Sequence, residues 1–409
     1  MRIGLLAASF IATFICTAQP LVIRTSTILD GKGNVLRNKD LVVEGNQISA
    51  IRDRSGHTDY DLSGLTVMPG WIDTHCHPSW HFNTEGRLDQ GGRGSKETPA
   101  QTALYTEGDV YKILMGGFTT IQSVGAEVDG PVRDLINSGV LPGPHFLSSL
   151  RVVTDRTGTP EQIREYVRKM KADGADLIKL FATASIRDGG AQTMSDAQIQ
   201  ATCGEATALG LRSVVHAHAS NGAKAAILAG CTSIEHGTFL DDDTLKLMVE
   251  HGTYFDPNFL VLHNYLENKP KFLGIGNYTE EGFAAMEKAL PLVADVIQRA
   301  LKYHVKVVLG TDGVAGAHGR NAEEFIYRVH DGHVPNMEAI IEGTSRAAES
   351  LRLQDKLGSI APGLQADIVA VEGNPLQDIT AVRHVAFIMK DGHVYKNETS
   401  RENEISGSR

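Results

Sequence analysis

The central part of the chain alternates short apolar runs with longer amphipathic stretches. The apolar runs are rich in β-branched residues, which is typical of buried strands. The stretches between them repeat apolar residues every three or four positions, which is typical of helices. The eight predicted strands are Val67–His77, Thr119–Val124, His145–Leu150, Leu177–Ala182, Ser213–Ala219, Ser233–His236, Thr253–Pro257 and Val305–Asp312. The predicted helices include Pro160–Ala172, Asp196–Ala208, Gly222–Ala229, Asp241–His251 and Glu280–Tyr303.

Strands that alternate with helices predict a parallel sheet. Eight such units over about 290 residues match the size of a TIM barrel. We therefore predict an α/β fold with a (β/α)8 TIM barrel over residues 67–357. In that fold the functional side chains lie at the C-terminal ends of the strands.

Both ends of the chain contain β-rich segments that are too short to fold alone. Turn signals such as Asp30-Gly-Lys-Gly and Glu44-Gly-Asn separate them. We predict that residues 19–66 and 358–397 pair into one small β-sandwich domain. Residues 398–409 are predicted to form a polar tail.

Residues 1–18 have the features of an export signal. Arg2 precedes the apolar stretch Ile3–Cys16, and Cys16-Thr-Ala offers small residues for cleavage before Gln19. The apolar stretch is short for a membrane span. A buried N-terminal helix is the alternative interpretation. We expect an exported protein, periplasmic or secreted, with no membrane span after cleavage.

Composition narrows the class of protein further. The chain has 409 residues, of which 42% are hydrophobic and 22% charged, as in an ordinary globular enzyme. A formal net charge of −10 argues against nucleic acid as a partner, whereas a homo-oligomer stays open. Cys76, Cys203 and Cys231 remain after the signal segment, and such an odd, sparse set predicts no disulfide framework. Cys76 is predicted to be a packing residue.

Residues that could bind a metal stand at the ends of five of the eight predicted strands. His75 and His77 are two positions apart, so both imidazoles point to the same face of a strand. Neutral imidazole is a common ligand for divalent metals such as zinc. Ionisable groups inside apolar strands are costly unless they are paired or metal-bound, so the series predicts a metal site. Its other members are Lys179, His216, His218, His236 and Asp312.

In this order, the motifs resemble those of the amidohydrolase superfamily. They are Pro-Gly-Trp-Ile-Asp-Thr-His-Cys-His ending at His77, a lysine on strand 4, histidines closing strands 5 and 6, and Gly-Thr-Asp ending at Asp312. The resemblance covers nearly the whole chain after the signal segment. It is greatest to the imidazolonepropionase-like branch, which contains metal-dependent Xaa-Pro dipeptidases (prolidases) and related carboxypeptidases.

The resemblance implies two divalent metal ions, with zinc expected and manganese or cobalt as alternatives. Carried over by motif, His75, His77 and Asp312 bind the more buried metal. His216 and His236 bind the second, and Lys179, carboxylated by CO2, bridges both. His218 shares a strand face with His216, so His218 is the ligand if the register differs.

The same resemblance implies hydrolysis of an amide C–N bond by a hydroxide that bridges the two metals. Asp312 would accept a proton from it and pass it to the leaving nitrogen. We expect a small-molecule or dipeptide substrate, Xaa-Pro or similar, or an N-acyl amino acid. Candidates for substrate binding are Arg151, Arg187, His218, Tyr254 and His318.

Three alternatives stay open at this point. The first is a cyclic-amide or lactam hydrolase of the imidazolonepropionase type. The second is hydrolysis of an ester, lactone or phosphoester by the same hydroxide. The third is a non-catalytic relative that uses the barrel as a scaffold, although all six ligand positions are filled here.

Overall fold

The computed structural model describes residues 19–92 and 95–399. The predicted signal peptide over residues 1–18 and nearly all of the polar tail over residues 398–409 lie outside the described residues. No helix within the described ranges combines the length and hydropathy that a membrane crossing needs.

Eighteen strands and twelve α-helices are present in the described residues. The strands are β1 Leu21–Leu29, β2 Val35–Arg37, β3 Lys39–Glu44, β4 Gln47–Asp53, β5 Tyr60–Pro69, β6 Trp71–Cys76, β7 His81–Phe82, β8 Leu88–Asp89, β9 Phe118–Ser123, β10 His145–Ser148, β11 Val152–Val153, β12 Leu177–Phe181, β13 Arg212–Ala219, β14 Ser233–Phe239, β15 Tyr254–Asp256, β16 Ile368–Glu372, β17 Val385–Lys390 and β18 His393–Asn397. The helices are α1 Pro99–Met115, α2 Asp129–Asn137, α3 Pro160–Ala172, α4 Asp196–Ala208, α5 Ser220–Leu228, α6 Asp242–His251, α7 Leu260–Glu267, α8 Lys269–Phe272, α9 Glu280–Lys302, α10 Glu323–His330, α11 Asn336–Glu342 and α12 Ser345–Ser350.

Strands from both ends of the chain form one mixed sheet of eight strands. Its order is β18-β17-β16-β5-β1-β3-β4, with β2 paired to β1. Gln47 in β4 forms a bridge with Gln365 just before β16, so the outer strand β4 returns to the other half of the sheet. The sheet thereby encloses an apolar core of its own, which includes Ile23, Leu41 and Phe387. The small β domain built from both chain ends is confirmed.

The middle of the chain forms the barrel. Parallel strands pair in the orders β6-β9-β10 and β11-β12-β13-β14-β15. Asp176 N donates to Ser148 O at 2.9 Å, which joins the two sets. Helices α3 to α6 alternate with the strands of the second set. The predicted TIM-barrel fold is therefore confirmed.

The predicted eighth strand, Val305–Asp312, closes the barrel but is not a regular strand. Phe255 N donates to Lys306 O at 2.9 Å on one side, and Thr74 N donates to Leu309 O at 3.0 Å on the other. Asp312 has φ of 47°, a left-handed conformation that a continuous strand does not contain. The segment therefore forms isolated hydrogen bonds to its neighbours instead of a ladder.

The predicted strand Val67–His77 is divided at Gly70. Val67 pairs with β1 and β16 in the small domain, whereas Trp71 pairs with β9 in the barrel. A Cβ on Gly70 would overlap the side chain of Thr119, so only glycine fits where the chain passes from one sheet to the other. The prediction of one continuous strand was wrong at this point.

The cysteine prediction was also wrong. Cys203 on α4 and Cys231 just before β14 form a disulfide, with their Cα atoms 5.3 Å apart. The two residues are 28 positions apart, and the pairing depends on α4 packing beside the turn that leads into β14. Cys76 is free and buried, as predicted.

Local capping explains why several helices begin where the sequence predicts. Thr159 accepts a hydrogen bond from Gln162 N at the start of α3, and Ser195 accepts one from Gln198 N at the start of α4. In both cases the glutamine side chain returns a hydrogen bond to the cap, which is a capping box. Helices α3 and α4 have the predicted bounds because these signals are local.

Candidate metal centre and substrate cavity

The C-terminal ends of the barrel strands surround a buried cavity. Four strands and the closing segment bring the predicted ligand residues to its wall. The cavity is lined by His75, His77, Trp80, Lys179, Phe181, Ser185, Ile186, Arg187, His216, His218, His236, Thr238, Pro257, Asn258, Val261, Leu262, Tyr265, Val293 and Asp312. Ligand-type residues and apolar residues thus share one space, as in an enzyme pocket.

One group of ligand atoms is formed by His75, His77 and Asp312. Asp312 Oδ1 lies 3.1 Å from His77 Nε2 and 3.4 Å from His75 Nε2. Burial alone would raise the pKa of Asp312, but its interactions with His75 and His77 and the charge of Lys179 outweigh this effect and lower the pKa below its usual value. Asp312 is therefore a carboxylate near neutral pH, and its oxygens can bind a cation.

A second group is formed by His216, His218 and His236, whose ligand atoms lie within 4.8 Å of one another. Burial holds the pKa of His216 and His236 well below the usual range, so both imidazoles are neutral. His216 Nε2 lies 3.2 Å from Ala184 O. A carbonyl can only accept, so Nε2 donates and the lone pair on Nδ1 of His216 is left for a metal.

His218 makes a different contact in this group. Its Nδ1 lies 2.9 Å from the hydroxyl of Thr238, which can either donate or accept. Its ring stacks on His236 with 4.9 Å between centroids. Burial, followed by the charge of Arg187, lowers the pKa of His218 to about 3. The structure thus places both strand-5 histidines at the cavity.

Lys179 lies between the two groups. Its Nζ is 3.3 Å from His75 Nε2, and the residue is only 1% exposed. Burial lowers the pKa of its ammonium. Within the described residues no carboxylate lies in ion-pair contact with it, so an ammonium at this position would be buried without a direct counter-ion.

The backbone has a left-handed conformation at two of the candidate metal ligands. His236 has φ of 67° and Asp312 has φ of 47°, a conformation that costs free energy for residues other than glycine. Asp73 stabilises the second of these turns, because its carboxylate accepts hydrogen bonds from Thr311 Oγ1 at 2.7 Å and Asn321 Nδ2 at 2.8 Å. Such strain is concentrated at functional sites, where the surrounding contacts hold it.

Arg187 brings a partly buried cation to the same cavity. Its guanidinium lies 4.1 Å from the ring centroid of Tyr278 and 5.4 Å from that of Tyr265. Arg187 Nε donates to Asn277 Oδ1 at 2.9 Å. No carboxylate among the described residues forms an ion pair with it, so this charge is available to an anionic group in the cavity.

The comparison with known proteins agrees with this geometry. The sequence matches the Amidohydrolase family over residues 66–396. The protein is a member of the amidohydrolase family. Its catalytic class is therefore that of a metal-dependent hydrolase acting on C–N bonds, with the His/Asp groups above as candidate metal sites.

Similar proteins act on several substrates. This amidohydrolase is 32% identical to a Xaa-Pro dipeptidase solved with methionine in its active site, covering 93% of this chain and 100% of that one, with a TM-score of 0.83. A prolidase complexed with N-methylphosphonate-L-proline has 25% identity, the same coverage and a TM-score of 0.82. The ochratoxinase of Aspergillus niger is 26% identical over 428 residues, covering 93% of this chain and 87% of its own.

Three residues predicted to bind substrate do not line the cavity. Arg151 forms ion pairs with Glu127 and Asp173 on the outer surface of the amidohydrolase barrel. Tyr254 is the first residue of β15 and therefore lies at the opposite end of the strand from the site. His318 lies behind Trp80, a residue that lines the cavity, and its Nε2 is 2.9 Å from the carbonyl oxygen of Trp80.

Other residues of the site were not predicted from the sequence. Glu235 Oε2 lies within hydrogen-bond distance of His75 Nδ1, at 2.7 Å, and burial raises the pKa of Glu235 to about 7. Its place directly before His236 was a signal that could have found it. Tyr265 and Tyr278 follow no strand end, so nothing local in the sequence indicates that they pack around Arg187.

Proposed function

We propose that this amidohydrolase is a two-metal enzyme that cleaves the amide bond of small dipeptides, Xaa-Pro or similar, or of N-acyl amino acids. The observation that supports it most is one cavity that is lined both by the metal-ligand groups and by Arg187, a partly buried arginine without an ion pair among the described residues. A substrate with an amide and a free carboxylate complements both features.

The donor set suits two divalent ions. His75, His77 and Asp312 would hold one, and His216 and His236 the other. Two neutral imidazoles with a carboxylate form a favourable set for zinc, and manganese or cobalt would also be accepted. The free Nδ1 of His216 supports this residue over His218 as the strand-5 ligand.

Lys179 would be carboxylated by CO2 and bridge the two ions. An ammonium would be repelled by two dications, whereas a carbamate is an anion with two oxygens. The lowered pKa of Lys179 supports this, since the neutral amine is the form that reacts with CO2. Lys179 is also buried without a carboxylate counter-ion among the described residues, which further supports its carboxylation.

When bound, the metals would lower the pKa of a water molecule and polarise the scissile carbonyl. The chain itself supplies the proton transfer. Asp312 is the one carboxylate among the described residues that line the cavity. It would accept the proton of the attacking water and deliver it to the leaving nitrogen.

Arg187 would bind the substrate carboxylate. Its guanidinium is oriented by the ring of Tyr278 and by Asn277, so little side-chain entropy is lost when an anion binds. Charge-assisted hydrogen bonds from a guanidinium to a carboxylate are among the stronger polar contacts. The apolar residues Trp80, Phe181 and Val261 would contact the rest of the substrate.

We propose further that the protein is exported. The features of residues 1–18 support this, and so does the disulfide between Cys203 and Cys231. Disulfides persist in oxidising compartments and are rare in the cytosol.

One experiment tests the proposed function. Protein loaded with zinc in the presence of bicarbonate is analysed for bound metal and assayed on a dipeptide library, N-acyl amino acids, ochratoxin, cyclic amides, esters, lactones and phosphoesters. We expect about two metals per chain and greatest activity on substrates with a free carboxylate beside the amide. Asp312→Asn should keep most of the metal and lose activity by orders of magnitude.

Three results would contradict the proposal. Less than one metal per chain in fully loaded protein would remove the two-metal centre. Greatest activity on cyclic amides or on esters would assign a different substrate class. Turnover by Asp312→Asn close to that of the unchanged protein would remove Asp312 from the reaction.

A further inference from the structure

His75 is held from the side opposite the cavity by a carboxylate that the proposed mechanism does not use. Its Nδ1 lies 2.7 Å from Glu235 Oε2, while its Nε2 faces Lys179 and Asp312. Glu235 lies on β14 and His75 on β6, which are not neighbours in the barrel, so this hydrogen bond crosses the interior. The two side chains are 1% and 2% exposed.

Glu235 is itself part of a larger buried group. Asp256 lies beside it in register on β15, and the ligand atoms of His75, Glu235 and Asp256 are within 4.8 Å of one another. Asp256 Oδ2 accepts from Thr74 Oγ1 at 3.1 Å, and its Oδ1 accepts from Gly310 N at 2.9 Å. A Cβ on Gly310 would overlap Asp256, so this close approach requires glycine.

The group ends at a fully buried arginine. Arg328 Nη2 donates to Asp256 Oδ1, its Nε donates to Glu324 and its Nη1 donates to Glu342, each at 2.8 Å. Its Nη1 also donates to Val308 O in the segment that closes the barrel. Arg328 thus has a partner on every side-chain nitrogen, and its partners come from four different segments of the barrel.

We propose that Glu235, held by Asp256 and Arg328, is a positioning residue for the metal centre, and that it fixes the tautomer of His75. A hydrogen on Nδ1 leaves the lone pair of His75 on Nε2, which is the nitrogen that faces the cavity. The inference rests on the proposed metal site. A carboxylate behind a metal-binding histidine also makes the imidazole a stronger ligand, and its loss weakens metal binding by about 10- to 100-fold.

The test measures metal binding and does not depend on turnover. Cobalt is titrated into metal-free Glu235→Gln and into the unchanged protein against a competing chelator, and the visible absorption of bound cobalt is recorded. The variant is expected to bind cobalt about 10- to 100-fold more weakly and to give an altered absorption spectrum, since an amide can also donate to Nδ1 and turn the imidazole to the wrong tautomer.

Glu97→Gln is the matched control. Glu97 Oε2 contacts His81 Nε2 at the same distance of 2.7 Å, but the pair does not line the cavity. The cobalt affinity of Glu97→Gln should remain within twofold of that of the unchanged protein, and its absorption spectrum should be the same. An equal loss in both variants would contradict a specific role for Glu235.

Thr74→Val is the second variant in case Glu235→Gln does not fold. Valine has nearly the same shape as threonine but cannot donate a hydrogen bond to Asp256 or to Leu309 O, so cobalt binding should weaken, by at most about fivefold, the equivalent of one hydrogen bond. Unchanged cobalt affinity and spectrum in the folded variants would overturn the inference. Failure of the unchanged protein to bind metal would instead contradict the proposed function.

Discussion

The proposed role of Arg187 can be tested by removing its charge while keeping an unbranched side chain. Arg187→Met retains an unbranched apolar side chain that can still pack on the ring of Tyr278. It removes the guanidinium, which has no carboxylate partner among the described residues. The substitution therefore breaks no ion pair among the described residues, and its main effect should be on the binding of the substrate.

The expected magnitude follows from the number of hydrogen bonds. A hydrogen bond to a charged group contributes about 1.5–3 kcal/mol, and Arg187 Nε is already used by Asn277. If the two Nη atoms each donate one hydrogen bond to the substrate carboxylate, and each bond contributes the lower value of about 1.5 kcal/mol, the loss is about 3 kcal/mol. This corresponds to about 150-fold in kcat/KM. A substrate whose carboxylate is replaced by a carboxamide still accepts a hydrogen bond from the guanidinium but loses the ion pair, so the same substitution should lower its kcat/KM by only about 10-fold, the equivalent of one ordinary hydrogen bond.

The assay compares a dipeptide with its C-terminal amide on both proteins. The matched control is Arg151→Met, the same substitution at the arginine that forms ion pairs with Glu127 and Asp173 outside the cavity. It should leave both rates within about twofold, because surface ion pairs contribute little. An equal loss on the dipeptide and its amide would refute a clamp on the carboxylate, as would a loss in Arg151→Met as large as in Arg187→Met.

Two further predictions concern Lys179 and the disulfide. Lys179→Met should lower bound metal to about one per chain or less, whereas Lys179→Glu, which supplies a carboxylate at the same place, should retain more metal when both are measured by elemental analysis. Equal metal content in the two variants would argue against a bridging carboxylate. Replacing Cys203 and Cys231 by alanine opens a loop defined by a separation of 28 residues. Without the disulfide, the closure entropy of this loop should lower the free energy of unfolding by about 3.6 kcal/mol. This corresponds to a Tm lower by about 4 °C. Adding reductant to the unchanged protein should lower its Tm by the same amount in a thermal melt. Identical Tm values with and without reductant would contradict this prediction.

Much of the barrel and most of the site could be predicted because their signals are local or periodic. The i, i+2 spacing of His75 and His77 determines that both imidazoles share a strand face, whatever the rest of the fold does. Helix α3 begins at Pro160 because its cap, Thr159, and its partner, Gln162, are three residues apart. The ends of parallel strands then bring Lys179 to the same rim as these histidines, because the barrel topology puts all such ends on one face.

Contacts between distant segments could not be predicted in this way. The disulfide between Cys203 and Cys231 depends on how α4 packs beside the turn before β14. The choice of Arg187 over Arg151 depends on which loop turns inward over the barrel, and Tyr278, which orients Arg187, lies far along the chain. Residue types alone do not distinguish two arginines that each follow a barrel strand.

The barrel, the paired chain ends and the residues able to bind metal could all be predicted from short segments, because periodicity and strand-end position are local properties. Which of these side chains face one another, and which residues support them, depends on how the distant segments pack. The hydrogen bond from His75 to Glu235 joins residues 160 positions apart. Such a contact exists only when the closed barrel removes both groups from water, so that each becomes the other's partner.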